Sequence, residues 1–407
     1  MSKNAKTIEG GILSAKGFKA CGIGAEIKYK GRNDVALIVA SKPCAAAAVF
    51  TTNKVAAAPV LYDREIAKKG KAQAILANSG CANACTGRKG MEDALSSAKA
   101  VAKELKIDSS LVFVASTGVI GRPLPMDRLV CGIKKAASSL GTANEDALNA
   151  AKAIMTTDTK PKQAAAQVKI GSKIVTVGGM AKGSGMIEPN MATMLGFITT
   201  DAAITPSMLK RAIKLAIAKS FNRVVVDGDE STNDSLFLLA SGEAGNKPID
   251  KAGADFDSFM SALTLVATSL ARQMAKDGEG ATKFVTVNVK GAKTQADAER
   301  AARAIAKSPL AKTSWFGKDP NWGRVLAAAG YSGADVEDMK AEVYYGNEWA
   351  FKKGKVADSA QLEKLEEAMQ SDELAVTVKL NLGKYEATIY TCDFSLDYVH
   401  INADYTT

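Results

Sequence analysis

Eight short runs of apolar and β-branched residues, separated by stretches whose apolar residues return every three or four positions, commit this chain to a mixture of strands and helices. The runs span residues 35–40, 111–115, 173–177, 195–198, 236–240, 284–289, 374–380 and 386–391. Between them the pattern is helical. Residues 91–105 bring Leu95, Ala98, Ala102 and Leu105 to one face. Thr205 and Pro206 read as an N-cap and a first helical position, after which Leu209, Ile213 and Ile217 line a face at i, i+4 and i+8. Residues 145–155, 257–274, 296–306 and 362–369 also read as helices. No short repeat divides the chain, so the expectation is an α/β fold built from layers.

With 407 residues, two or three domains are expected, and a large core is within reach without disulfides. No Pro/Gly/Ser linker marks a boundary. The turn-rich KDGEGAT segment, residues 276–282, is the best candidate for the end of the first unit, giving units 1–283 and 284–407. Residues 201–283 are helix-rich, and strand and helix alternate again from Phe284.

Composition excludes several chemistries. The chain has one histidine, His400, so a site built on two or three imidazoles is impossible, and a triad would have to be assembled around the C-terminal tail. Cys81 and Cys85 are separated by three residues and no second pair follows, which argues against a zinc knuckle. Buried free thiols are the expectation for the six cysteines. The net charge of +10 comes from scattered residues, and aromatics make up 6%, so nucleic acid is not an expected partner. The segment MSKNAKTIEGGI has neither the apolar core of a secretory signal nor the pattern of a transit peptide. No apolar run is long enough to span a bilayer. A cytoplasmic protein without membrane partners is expected.

The densest unusual stretch is GGMAKGSGMIEPNMATML, residues 178–195, with four glycines in its first eight residues. A strand at 174–177 runs into it. The lysine precedes the second glycine pair, so this is not a P-loop, and GGMAKGSG does not match GxGxxG. Spacing alone leaves two readings open, a tight turn that places a residue at a reaction centre and a glycine-rich loop without chemistry. VDGDESTNDS, residues 226–235, mimics the start of a calcium loop through Asp227, Asp229 and Ser231. It fails at Thr232, where glycine is needed, and at Leu238, where glutamate is needed.

The block KGSGMIEPNMATML (182–195) resembles the signature of the ornithine acetyltransferase family, the glutamate N-acetyltransferases of the cyclic arginine pathway. Further matches follow in order: ANSGCANACTG (77–87), STGVIG (116–121), MTTDTKPK (155–162), VDGDESTNDS, DGEGATK (277–283), DPNWGR (319–324) and YVHINADYTT (398–407). The resemblance implies an αββα sandwich of the autoprocessing type with a smaller C-terminal α/β domain. It implies self-cleavage at Ala192–Thr193 into chains 1–192 (α) and 193–407 (β), usually assembled as an α2β2 heterotetramer.

It also implies roles. Thr193 becomes an N-terminal nucleophile whose own α-amine, with a pKa of about 8, is the base. Thr117 and Gly118 form the oxyanion hole. Thr156, Lys182, Thr193, Glu279, Asn402 and Thr407 bind substrate, with Thr157 and Thr159 as neighbouring alternatives to Thr156. The implied reaction moves acetyl from N2-acetyl-L-ornithine to L-glutamate through an acetyl-threonine, without a metal or organic cofactor. Some members also accept acetyl-CoA as acetyl donor, and no local pattern decides that here. The rival reading is an autoprocessing N-terminal-threonine aminopeptidase or amidase, in which water replaces glutamate. His400 receives no catalytic role.

Overall fold

The computed structural model describes residues 5–188 and 194–404. Ala192, Thr193 and Thr407 lie outside the described residues. Nine strands build the first unit: β1 (Lys6–Ile8), β2 (Phe18–Ile23), β3 (Val35–Phe50), β4 (Lys71–Cys81), β5 (Val112–Val119), β6 (Lys162–Ile170), β7 (Lys173–Lys182), β8 (Leu195–Thr200) and β9 (Ser235–Ala240). Their hydrogen-bonded order is β1-β6-β7-β8-β9-β3-β4-β5, with β2 also paired to β3. The helices among them are α1 (Ala58–Lys68), α2 (Gly87–Leu105), α3 (Met126–Ser138), α4 (Asn144–Ala153), α5 (Pro206–Lys219) and α6 (Ala254–Lys276).

One strand turns this ladder into two layers. The first part of β3, residues 35–40, pairs with β2 and β4, whereas residues 45–50 pair with β9. The β3–β4 register shifts between Val39 and Cys44, around the exposed Ser41, Lys42 and Pro43. Proline has no N–H to give a ladder, which suits it to this break. Sheet β2-β3-β4-β5 therefore faces sheet β6-β7-β8-β9. Phe113 of the first meets Phe237 of the second at 5.0 Å between ring centroids, and Phe197 stacks on Phe237 at 5.6 Å. Each such buried ring contributes roughly 1.5–3 kcal/mol.

Helices cover both outer faces. Leu37, Leu76 and Val114 pack with Ala98 and Val101 of α2 and with Leu129 and Ile133 of α3. Val177, Ile198, Leu236 and Leu238 pack with Leu209 and Ile213 of α5 and with Phe259 and Leu263 of α6. The layers are thus helix, sheet, sheet, helix. In β9 this is visible residue by residue: Leu236 and Leu238 point to the helices, Phe237 and Leu239 to the other sheet. A strand covered on both sides reads as a continuous apolar run.

The second sheet comprises β10 (Phe284–Ala292), β11 (Glu342–Tyr345), β12 (Glu348–Lys352), β13 (Lys355–Val356), β14 (Glu373–Lys379) and β15 (Tyr385–Cys392), in the order β13-β12-β11-β14-β10-β15. With α7 (Gln295–Lys307), α8 (Pro309–Phe316), α9 (Trp322–Gly330) and α10 (Ser359–Ala368) it has its own core, including Val287, Ile305, Trp315 and Val376. The chain then returns to the first unit as α11 (Leu396–Asp404). Among the described residues, no helix is long and apolar enough to cross a membrane.

Three local expectations change. On α2 the buried face is Ala94, Ala98, Val101 and Ala102, and Leu95 is exposed: small side chains let the helix lie close to the sheet. Gly178 and Gly179 are not loop residues but part of β7. A Cβ on Gly178 would sit 2.1 Å from the Gly11 carbonyl oxygen, so this glycine serves close approach. Two of the six free cysteines, Cys85 and Cys131, are exposed rather than buried.

Candidate active site

The ends of β5 and β7, the start of β8 and the 226–235 segment converge at one edge of the sandwich. They enclose a cleft of about 150 Å³. Its walls include Thr117, Gly118, Thr156, Lys182, Glu279 and Asn402, and also Met194, the residue after the expected nucleophile. Every described residue expected to bind substrate or an oxyanion is therefore in one place.

Thr117 and Gly118 lie within β5, not after it. They sit where its parallel pairing with β4 slips, Cys81 facing both Thr117 and Val119. Gly118 has φ +129°, and a Cβ there would come within 2.4 Å of the Gly80 carbonyl carbon. Only glycine fits. Lys182 Nζ donates to Thr117 Oγ1 at 3.3 Å, tying the expected substrate lysine to the expected oxyanion hole.

The segment 226–235, which sequence reasoning left without a role, clamps both sides of the cleft. Asn233 Nδ2 donates to the carbonyls of Ala82 (2.6 Å) and Ser116 (2.8 Å), fixing the residue before Thr117. The Asp227 carboxylate accepts the N–H groups of Met186 (2.6 Å) and Ile187 (2.8 Å). Asp234 is buried in the cleft wall. Burial pushes its carboxyl well above the ordinary range, only partly offset by the Ser231 side chain, the Lys182 charge and the Met194 N–H. Burial likewise lowers the Lys182 ammonium, against the pull of Asp158, Asp234 and Glu279. The density of short polar residues in VDGDESTNDS was the one available signal for these contacts. Their partners lie too far away in sequence to be read.

Behind the cleft, Lys162 Nζ bridges Asp158 Oδ1 (2.6 Å) and Asp277 Oδ2 (2.5 Å), and all three groups are largely buried. Asp158 also accepts the N–H groups of Gly183 (2.7 Å) and Thr156 (3.0 Å). Burial alone would raise its carboxyl. The charges of Lys162 and Lys182, with the hydrogen bonds from Lys162 and the Gly183 N–H, outweigh it and hold it at about 2. A carboxyl depressed on folding stabilises above its unfolded value of about 3.9, and that contribution is lost as pH falls toward 2. Asp158→Asn is expected to cost about 3 kcal/mol of unfolding free energy, because it breaks a buried ion pair. Urea titration at pH 7 measures this; a loss below about 1 kcal/mol, the value of an exposed pair, would show that Asp277 alone satisfies Lys162.

The same cluster separates the three threonines. Thr156 and Thr157 line the cleft, Thr157 Oγ1 lying 2.8 Å from Ser184 Oγ, whereas Thr159 turns away to hydrogen-bond Asp277. On α11, Tyr398 and Asn402 are one turn apart and both line the cleft, and Asn402 Nδ2 donates to Glu279 Oε2 at 2.9 Å. His400, between them, is exposed and lines a separate surface depression with Lys160 and Lys276. Among the described residues, no group of three or more His, Cys, Asp or Glu side chains could hold a metal ion.

The fold is a helix-covered double sheet with a small cleft, lined by charged side chains, at its strand ends. The chain belongs to the ArgJ family, whose model matches residues 19–407, and it is an acyltransferase. It is 50% identical over 404 residues to the arginine biosynthesis bifunctional protein ArgJ of Symbiobacterium thermophilum, covering 98% of this chain and 99% of that one. It is 48% identical over 413 residues to the glutamate N-acetyltransferase of Methanocaldococcus jannaschii, covering 99% of this chain and 100% of that one. The crystal structure of ornithine acetyltransferase complexed with ornithine from Mycobacterium tuberculosis is 41% identical, covering 46% of this chain and 100% of that one, with a TM-score of 0.44.

Proposed function

We propose that this acyltransferase moves the acetyl group of N2-acetyl-L-ornithine to L-glutamate after cutting itself at Ala192–Thr193. The observation that carries the reading is the convergence of Thr117, Gly118, Thr156, Lys182, Glu279 and Asn402 on one cleft that also includes Met194. Thr193 Oγ attacks the acetyl carbon while its proton passes to the α-amine of the same residue. Thr117 and Gly118 stabilise the oxyanion by hydrogen bonds oriented in advance. The C–N bond to ornithine then breaks, and the leaving amine takes the proton from the α-ammonium. The glutamate amine attacks the acetyl-threonine in turn, giving a proton to the Thr193 α-amine; the ester C–O bond breaks, that proton passes to Thr193 Oγ, and N-acetyl-L-glutamate departs.

Lys182 suits the substrate α-carboxylate, and Glu279, held by Asn402, suits the ornithine side-chain ammonium. Thr156 adds a wall, and Thr407 completes the ligand set. This cycle uses no metal or organic cofactor. Acetyl-CoA as a second donor is tested by supplying it with glutamate alone. We further propose domains 1–283 and 284–407, the second lending its terminal helix α11 to the cleft of the first, and α and β chains, 1–192 and 193–407, that stay together as α2β2. The antiparallel pairing of β7 with β8, on either side of the expected cut, supports their cohesion. The unpaired cysteines support a reducing cytoplasm.

Denaturing mass analysis of the purified protein, combined with an ornithine-release assay, tests the reading. Two chains are expected, the second beginning at Thr193, with release that requires glutamate. Release that is independent of glutamate would assign a hydrolase instead, and a fully uncut active chain would remove the mechanism.

A further inference from the structure

A chain that cuts itself must hold one peptide bond still against one attacking group, so what anchors the approach to that bond matters. Residues 186–188 are pinned from two directions. From within the sandwich, the Asp227 carboxylate takes two N–H groups as above, Val226 N–H donates to the Ile187 carbonyl at 2.7 Å, and Glu188 N–H donates to the Asp229 carbonyl at 3.0 Å.

The second direction is different. The Glu188 side chain, 10% exposed, is gripped by Lys307 Nζ at 2.5 Å and Arg303 Nη1 at 3.5 Å. Both cations belong to α7, whose buried face packs in the core of the second sheet. Arg303 is itself fixed, its Nη2 donating to the Asn222 carbonyl at 2.9 Å. Gly228, at φ +92°, leaves room for this contact: a Cβ there would lie 2.9 Å from Lys307 Cε and 3.6 Å from Glu188 Oε2. Glu188 is not among the residues lining the cleft, so binding substrate does not explain it. It stands four residues before the proposed scissile bond.

We infer that Glu188, held by Arg303 and Lys307, is a positioning residue for self-cleavage, so that the second sheet must be seated on the sandwich before the chain can cut itself. The inference rests on the reading that the cut falls at Ala192–Thr193. It makes processing a report on complete folding: a chain whose last third is missing or misfolded keeps its nucleophile capped.

The test separates processing from catalysis. Wild type, Glu188→Gln and the double variant Arg303→Gln/Lys307→Gln are synthesised, and the uncut fraction is followed over time by denaturing mass spectrometry. Acetyl transfer is then measured per cleaved chain. Both variants are expected to cut about tenfold or more slowly, the factor set by losing a charge-assisted hydrogen bond. Once cut, their kcat and KM should match wild type. The charge-swapped pair Glu188→Lys/Lys307→Glu should recover part of the cleavage rate lost by Glu188→Lys alone. Wild-type cleavage rates in folded Glu188→Gln and in the double variant would overturn the inference. So would a loss of turnover per cleaved chain as large as the loss of cleavage, which marks a general structural role. Should Glu188→Gln fail to fold, the double variant, which alters only partly exposed cations, decides alone. If wild type itself stays uncut, it is the cleavage reading that fails, and the clamp loses its purpose with it.

Discussion

Thr193→Ala is expected to give a single uncut chain with acetyl transfer reduced by a factor on the order of 10⁵–10⁶, the scale on which removing a covalent nucleophile acts. Two losses coincide in one substitution. Without the hydroxyl, nothing attacks the preceding carbonyl, so the α-amine that would serve as base is never released. Without the same hydroxyl, no acetyl-enzyme forms. Denaturing mass spectrometry reads the first loss and an ornithine-release assay the second. Because the chain has one histidine, exposed on the far side of α11 from the cleft, no imidazole stands by to replace the amine. Measurable acetyl transfer by the uncut variant would refute the assigned nucleophile.

The second large effect concerns the proposed oxyanion hole, and a pair of variants separates chemistry from strain. Thr117→Ala removes a hydroxyl that receives the Lys182 ammonium, without adding an atom. It is expected to lower kcat about 10²–10³-fold, the cost of one such donor, while the melting temperature stays close to wild type. Gly118→Ala should lose at least as much activity and also melt earlier. Its Cβ would lie 2.4 Å from the Gly80 carbonyl carbon and 2.7 Å from the Cys81 nitrogen, at a φ of +129° that L-residues avoid. Backbone strain of this kind costs on the order of 1–3 kcal/mol even before the collision is relieved. Steady-state kinetics on fully processed protein, beside thermal melts, give both readouts. A processed Thr117→Ala enzyme with wild-type kcat would take the threonine out of the hole.

These contacts mark how far the sequence could be read. The β9 run was legible because burial on both faces makes it apolar throughout. The pattern for β3 stopped at Ala40. Its second half, PCAAAAVF, is half alanine, which has little strand preference and is held in the sheet by pairing with β9. The same limit explains Gly178 and Gly179. Adjacent glycines suggest a turn, but both are paired on either side, with β6 and with β8, and the close approach of Gly11 is what excludes a side chain at Gly178. On α2, periodicity placed Leu95 inside, but the closeness of helix and sheet selected the alanines.

At the site, the motifs and the resemblance supplied the expected participants and their implied roles, and the described ones line one cleft. The arrangement that makes them work was not legible. Asn233 reaching Ala82 and Ser116, Asp277 reaching Lys162, Asp158 reaching Gly183, and Glu188 reaching α7 each join segments that are unrelated by any local pattern. By itself, the sequence determined the periods of strand and helix, the absence of an imidazole cluster and the family signature around residue 193, because these are properties of neighbours along the chain. Only the tertiary structure decided which strand bends between the two sheets, which carboxylates lose their solvent, and which distant cations hold the approach to the expected cut. Those outcomes follow from non-local packing, where burial and partner geometry, not sequence spacing, set the energy of each contact.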